Sequence, residues 1–421
     1  MIETITLFPG ITLHCFRDTR FKQGCLSFQL VRQMHKDEAS LNALLPAVLL
    51  RGTNRCPDLR SITEQLDELY GAAISPLVRR VGDYQTTGLF CGFMDDRFAL
   101  PGDKVLEPVL AFLEEILLDS PLENGAFLPS FVASEKKNLI ATIESELNDK
   151  RAYAMGKLLK TMCDGDTFGL PRLGEKEQVA AITPASLYAH YRRILRTSPM
   201  EIFYVGAADG RRVAEMLQPM LSRLERDVTP LHPQTGFHPC EGTNLVETMD
   251  VSQGKLCMGF TTPITNRTEM FPAMQVMNTI FGAGMTSKLF VNVREKMSLC
   301  YSIGSGYYGT KGILTVSAGI DFDMEQVVRE EVLHQLQLCR EGQITDMELR
   351  AAKQAILSSL RATHDSPGAI EGYYATASLS GMGLTPAAYM QAVENVTLAH
   401  VVEAAKQLTL HTTYFLKGDR R

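Results

Sequence analysis

Glu135-Lys136-Lys137-Asn138-Leu139-Ile140-Ala141-Thr142 and Arg350-Ala351-Ala352-Lys353-Gln354-Ala355-Ile356-Leu357 are the two stretches that decide how the 421 residues divide. Each lies in a long run with helical spacing of apolar residues, so helices are expected over 127–150 and 345–364. At an offset of 216, Lys137 meets Lys353, Ile140 meets Ile356 and Asp149 meets Asp365. Both halves close on a helix, a short apolar strand and a glycine, Gly206 and Gly418, at an offset of 212. Single matches of this kind arise by chance. Similar offsets from separate places, each near half the chain, point to one unit used twice.

Working outward, the flanking pattern is that of strands followed by helices. Ile5, Leu7, Ile11, Leu13 and Cys15 occupy odd positions around a Pro9-Gly10 turn, and Leu26, Phe28 and Leu30 alternate with their neighbours. An apolar segment over 40–53 stops at Gly52. Asp58 then caps a helix with Leu59, Ile62, Leu66 and Leu69 on one face. A strand at 84–93, helices at 103–118 and 184–195 and a strand at 201–205 complete the first half. The second half repeats the order, with strands over 245–262, a helix at 271–281, a glycine turn, strands at 301–308 and 312–320, and helices at 324–341 and 345–364. The expected fold is α+β: two tandem homologous domains, 1–228 and 243–421, each a mainly antiparallel sheet with helices packed on one face. The Pro/His/Gly-rich stretch 229–242 reads as the linker, and a cleft between two domains is a common binding place.

Composition narrows the class. Hydrophobic residues are 45% and charged residues 21% of the chain, and the net charge is −6, which argues against a nucleic-acid binder. The nine cysteines form no C-x-x-C pair and read as reduced, mostly buried thiols. The N-terminal residues lack a signal-peptide pattern. The most apolar stretch, Leu41–Leu50, contains Asn42 and Pro46 and is half the ~20 residues a membrane span needs. A cytoplasmic location, with no membrane partner, is expected.

Two stretches carry a family resemblance. Phe281-Gly282-Ala283-Gly284-Met285-Thr286-Ser287-Lys288-Leu289-Phe290 runs into Val293-Arg294-Glu295-Lys296-Met297-Ser298-Leu299-Cys300-Tyr301-Ser302-Ile303. This resembles the second-half signature of the pitrilysin/insulinase (inverzincin) metallopeptidases, a glycine turn and short helix followed by R-E-K-x-G-L-x-Y. Leu50-Arg51-Gly52-Thr53 is similar to the segment that follows the family's zinc motif. With the two-half organisation, the resemblance covers nearly the whole chain.

The departure from the family is as informative as the match. Active inverzincins carry H-x-x-E-H on a helix, where two histidines hold zinc and the glutamate activates water. Counting back from Arg51-Gly52-Thr53, those positions fall on Ala43-Leu44-Leu45-Pro46-Ala47. Both histidine positions are alanine and the base position is proline. The family's third ligand, seven residues after the glutamate matched by Glu135, falls on Thr142. Alanine offers zinc no donor, so no metal and no catalysis by this chain alone are expected. Proline in a helix interior costs ~3 kcal/mol, so the helix is expected to start or kink at Pro46. No histidine pair lies at i, i+4; the closest pair, His232 and His238, falls in the linker, and His35 beside Asp37 and Glu38 reads as a solvated loop. Gly282-Ala283-Gly284 lacks the lysine-serine/threonine order of a phosphate loop.

Arg294 and Tyr301 are retained. The resemblance implies that such a pair holds the substrate backbone and the developing oxyanion, with hydrogen bonds that need no metal. Ser298 stands where the family has glycine. The reading that follows is a non-catalytic homologue, a partner subunit that binds peptide or unfolded polypeptide for a zinc-bearing relative of similar length, zinc being held only by that relative. The alternative is a peptide-binding or scaffolding protein, as a homodimer, with no proteolytic role. Zinc-less bacterial members of the family are associated with elongation factor P modification, and the resemblance allows that link.

Overall fold

The computed structural model describes residues 2–146, 148–231, 237 and 240–418. His232 and His238 lie outside the described residues. Thirteen strands are described: β1 (Ile2–Phe8), β2 (Ile11–Arg17), β3 (Gln23–Gln33), β4 (Ala73–Val81), β5 (Tyr84–Met94), β6 (Leu122–Glu123), β7 (Ala126–Phe127), β8 (Met200–Gly206), β9 (Asn244–Met249), β10 (Gly254–Thr261), β11 (Ser302–Tyr308), β12 (Ile313–Ile320) and β13 (Thr409–Gly418). The β1–β2 hairpin turns at Pro9-Gly10, with Gly10 at φ 71°, a left-handed conformation that glycine adopts without strain.

The duplication is written in the sheets. The first has the order β1-β2-β8-β3-β5-β4 and the second β11-β12-β10-β13-β9. Reversed, the second reads β9-β13-β10-β12-β11 and matches strand for strand the order β2-β8-β3-β5-β4. In each sheet one pair is parallel, β2 with β8 and β9 with β13, and all others are antiparallel. The fold is α+β with mainly antiparallel sheets, as the order of elements implied.

The repeat offset in the long helices is 217, not the 216 suggested by matching identities. In Pro129–Glu146 the positions withdrawn from solvent are 131, 132, 134, 135, 136, 139, 140 and 143. Adding 217 to each gives 348, 349, 351, 352, 353, 356, 357 and 360, the withdrawn positions of Asp346–Ala362. Function agrees: Lys136 Nζ donates to the carbonyls of Ala180 and Ile182, and Lys353 Nζ to that of Glu394, each at the end of a following helix.

Two compact units result, each built from three segments. One comprises Met1–Glu144, Pro171–Pro233 and His364–Thr376, the other Ser145–Leu170, Gln234–Thr363 and Ala377–Arg421. The contiguous spans 1–228 and 243–421 therefore trade two short segments. In the first unit, Leu44, Leu45 and Val48 of helix Lys36–Leu49, Leu113 and Ile116 of Leu106–Leu118, and Leu187 and Ile194 of Pro184–Thr197 pack on Leu13, Leu26, Phe28 and Leu89. Each such side chain contributes about 1.5–3 kcal/mol on burial. The other sheet face receives helix Pro367–Ser380, whose Ile370 sits on Cys25 and Val205. In the second unit helix Lys150–Met162 plays that part, with Ala154 and Leu158 against Cys257, Tyr414 and Leu416.

All nine cysteines are free thiols, and eight are buried. Burial pushes those of Cys15, Cys91, Cys257 and Cys339 up to about 12, far from a reactive thiolate. Among the described residues, no helix is long and apolar enough to cross a membrane.

Candidate functional site

Helix Lys36–Leu49 carries Ala43, Pro46 and Ala47. It starts at Lys36, and the solvated loop residue His35 caps it, its ring accepting from the Asp37 N–H. Pro46 lies inside the helix, so the helix does not start there, one of the two outcomes expected of its missing N–H. The carbonyl that loses its donor is that of Asn42, four residues back, and it accepts instead from the Thr87 hydroxyl of β5 at 2.7 Å. A hydrogen bond from the sheet thus replaces the helical one and offsets much of proline's cost.

Asn42 is fully buried, and its side-chain nitrogen and oxygen each have a partner. Its amide donates to Gln85 Oε1 at 2.9 Å, and its Oδ1 accepts from His190 Nε2 at 2.7 Å. The Arg193 guanidinium, which can only donate, meets His190 Nδ1 at 2.9 Å, so the imidazole is neutral with its proton on Nε2. Burial, opposed by Glu38 and aided by Arg193 and Arg32, brings its pKa down to about 4. Between pH 6.5 and 4 the unfolded chain therefore binds a proton that the folded chain does not. Stability falls as the pH drops through this window, by on the order of 3 kcal/mol from this group. His190→Gln is expected to flatten the dependence of the urea midpoint on pH between 6.5 and 4. Parallel curves for the two proteins would refute the assignment.

Ala43, Ala47 and Thr142 line one cavity of about 330 Å³, together with Glu135, Asn138 and Arg172. The helix and the long helix thus bring the degenerate motif positions together. The donor set does not fit zinc. The alanines have no donor atoms, and the Thr142 hydroxyl donates to the Asn138 carbonyl at 3.0 Å. The one carboxylate, Glu135, is held by Arg51 at 3.3 Å and by the Asn138 amide at 3.1 Å. Among the described residues, no three His, Cys, Asp or Glu side chains converge on a point where a metal could be held.

Arg294 and Tyr301 belong to the second unit. The sequence places a glycine turn and helix before them; the backbone instead forms helix Phe271–Asn278, a π-helical turn Thr279–Ala283 and a longer π-helical stretch Leu289–Lys296. The wide turn shows in the bond from Met297 N–H to Asn292 O at 3.0 Å. Such stretches are uncommon and gather at functional sites. Gly282 is closely packed: a Cβ there would lie 2.7 Å from Ser305 Oγ and 2.8 Å from Leu289 Cδ1, so one of these side chains would have to shift. Lys288, the lysine of this turn, is committed to Glu348 at 2.9 Å. Ser298 has φ 52°, the left-handed region, which costs a side-chain-bearing residue about 1–2 kcal/mol. Glycine would adopt this conformation without that cost.

Arg294 Nε donates to the Tyr301 carbonyl at 3.1 Å, its Nη1 meets Glu295 at 3.0 Å, and its guanidinium lies 4.7 Å from the centre of the Phe290 ring. The Tyr301 phenol is 62% exposed and donates to Asp321 Oδ1 at 3.2 Å, which holds its pKa above the ordinary value. Asp321 is a member of this site that the sequence presents only as part of a loop.

Residues 181–356 match the family model described as the peptidase M16 inactive domain. A probable inactive metalloprotease of Bacillus subtilis, YmfF, is 30% identical over 410 residues, 97% of this chain and 96% of that one. The chain belongs to the peptidase M16 family. Within this family of pitrilysin/insulinase peptidases it falls with the inactive homologues. Among solved structures, a conserved protein from Enterococcus faecalis V583 superposes with a TM-score of 0.92 at 26% identity, covering 100% of this chain and 99% of that one. The peptidase M16 inactive domain from Pseudomonas fluorescens does so at 0.81 and 17% identity, over 100% and 98% of the chains, and shares the fold.

Proposed function

We propose that this M16 homologue is the non-catalytic partner subunit of a zinc-bearing relative and holds peptide for it through Arg294 and Tyr301. The observation that carries the reading is the contrast between two places. The cavity at Ala43, Ala47 and Thr142 offers no donor set for zinc, while Arg294 and Tyr301 retain the hydrogen-bond donors that peptide carbonyls need. The exposed phenol is shared with Asp321, so a bound carbonyl takes the place of that carboxylate. The metal, and the water it activates, belong on this reading to the partner subunit.

Mixing this chain with a zinc-bearing relative of similar length tests it. Arg294→Ala and Tyr301→Phe are expected to fold normally and to lower peptide cleavage by the mixture by roughly a hundredfold, the loss typical of one transition-state donor. Unchanged cleavage with both variants rejects the proposal. A stable homodimer that captures peptide and adds nothing to cleavage favours the scaffolding reading instead, and only then does a link to elongation factor P modification become the question to pursue.

A further inference from the structure

We propose that the first unit carries a second binding site, independent of the proteolytic reading, for a nucleotide-sized phosphate ester. It is a cavity of about 780 Å³ lined by Arg192, Arg193 and Arg196 of helix Pro184–Thr197, by Arg223, and by the ring of Tyr188. That volume lies in the range of small-molecule sites. The chain as a whole carries −6, yet four guanidinium groups face two carboxylates, Glu225 and Asp227, in this wall.

The state of each guanidinium decides what is free to bind. Arg193 is held by Glu38 at 2.8 Å, and Arg223 by Glu114 at 2.5 Å. Arg196 meets Asp227 only at 3.4 Å, with both side chains more than half exposed, an arrangement worth little in water. Arg192 forms no ion pair among the described residues. Arg192 and Arg196 stand four residues apart on one helix face, where like charges repel.

The ordinary reason for such a cluster is to neutralise the negative end of a helix. That role is already filled, since Arg226 donates to the carbonyls of Leu195 and Ser198 at the end of the same helix. Two adjacent guanidinium forks match phosphate oxygens in a bidentate fashion that lysine cannot reproduce. Tyr188, one turn before Arg192, is fixed edge-on against Phe127 with ring centres 5.3 Å apart, and supplies a flat wall for a base or sugar.

Calorimetric titration of the full chain with ATP and with pyrophosphate, at low salt, tests the site. Saturable binding of at least one probe is expected. It should weaken roughly tenfold or more in Arg192→Ala/Arg196→Ala, as expected for lost charge-assisted hydrogen bonds. Arg192→Lys/Arg196→Lys should recover only part of it. Both variants change exposed residues, and circular dichroism checks that they fold. No saturable binding of either probe at millimolar concentration overturns the proposal. So does binding that the alanine variant leaves unchanged, or binding of an oligo-aspartate peptide with neither phosphate probe.

Discussion

Lys311→Met is expected to lower the stability of the second unit by about 3–5 kcal/mol, the cost of leaving a buried charge without its partner. Lys311 sits in the turn between β11 and β12, and its side chain is fully buried. Its Nζ lies 3.0 Å from Oδ1 and 3.1 Å from Oδ2 of Asp166, whose side chain is 2% exposed. Asp166 also accepts from the Phe168 N–H at 2.7 Å. The pair fastens segment Ser145–Leu170 to its unit, beside the contacts of Met162, Cys163 and Phe168 with Ile313. Removing the lysine strands the carboxylate in a place that water does not reach. The double variant Asp166→Leu/Lys311→Met removes both charges, and it should recover most of the loss because no charge then needs solvation. Urea unfolding followed by circular dichroism reads the effect, since the chain has no tryptophan. A loss below about 1 kcal/mol in the single variant would show that Asp166 reaches solvent after all.

The duplication and the order of most elements along the chain could be read from the sequence because they rest on local signals: alternation, capping residues and a repeat near half the length. The offset went astray by one residue for a physical reason. Lys136 and Lys137 are neighbours, and a helix start can be capped by Asp149 in one copy and Ser366 in the other, so identity favours the wrong register while burial finds the right one. β4 was hidden because Pro76, Arg79 and Arg80 interrupt its apolar pattern, as befits a strand on the edge of its sheet. The trade of segments leaves no local mark. The helices at Lys150–Met162 and Pro367–Ser380 would look the same whichever sheet they covered. At the candidate site, Ala43, Ala47 and Thr142, which line one cavity, were singled out by the sequence. The network of Asn42, Gln85 and His190 that lets a helix run through Pro46 was not, because its members are 43 to 148 residues apart.

The second exchanged helix poses the same question with a cation that reaches solvent. Glu371 is fully buried and takes two hydrogen bonds from Arg79, at 2.7 and 2.8 Å, and one each from Ser27 Oγ at 2.7 Å and Gln29 Nε2 at 3.0 Å. In the other unit the position 217 residues earlier is Ala154, buried against Cys257, Tyr414 and Leu416. An apolar contact therefore does the same work there without a charge. The two partners are not equivalent: Arg79 is 31% exposed and can turn to water, whereas Glu371 cannot. Arg79→Met is thus expected to cost about 3–5 kcal/mol, because the carboxylate is left with two neutral donors. Glu371→Gln should cost less, since the guanidinium it releases is resolvated and the amide still accepts from Ser27. Equal losses, or the reverse order, would mean that the arginine carries the desolvation cost. If instead Glu371→Leu with Arg79→Met proves as stable as the native chain, the charged cluster is kept for something other than holding the helix in place.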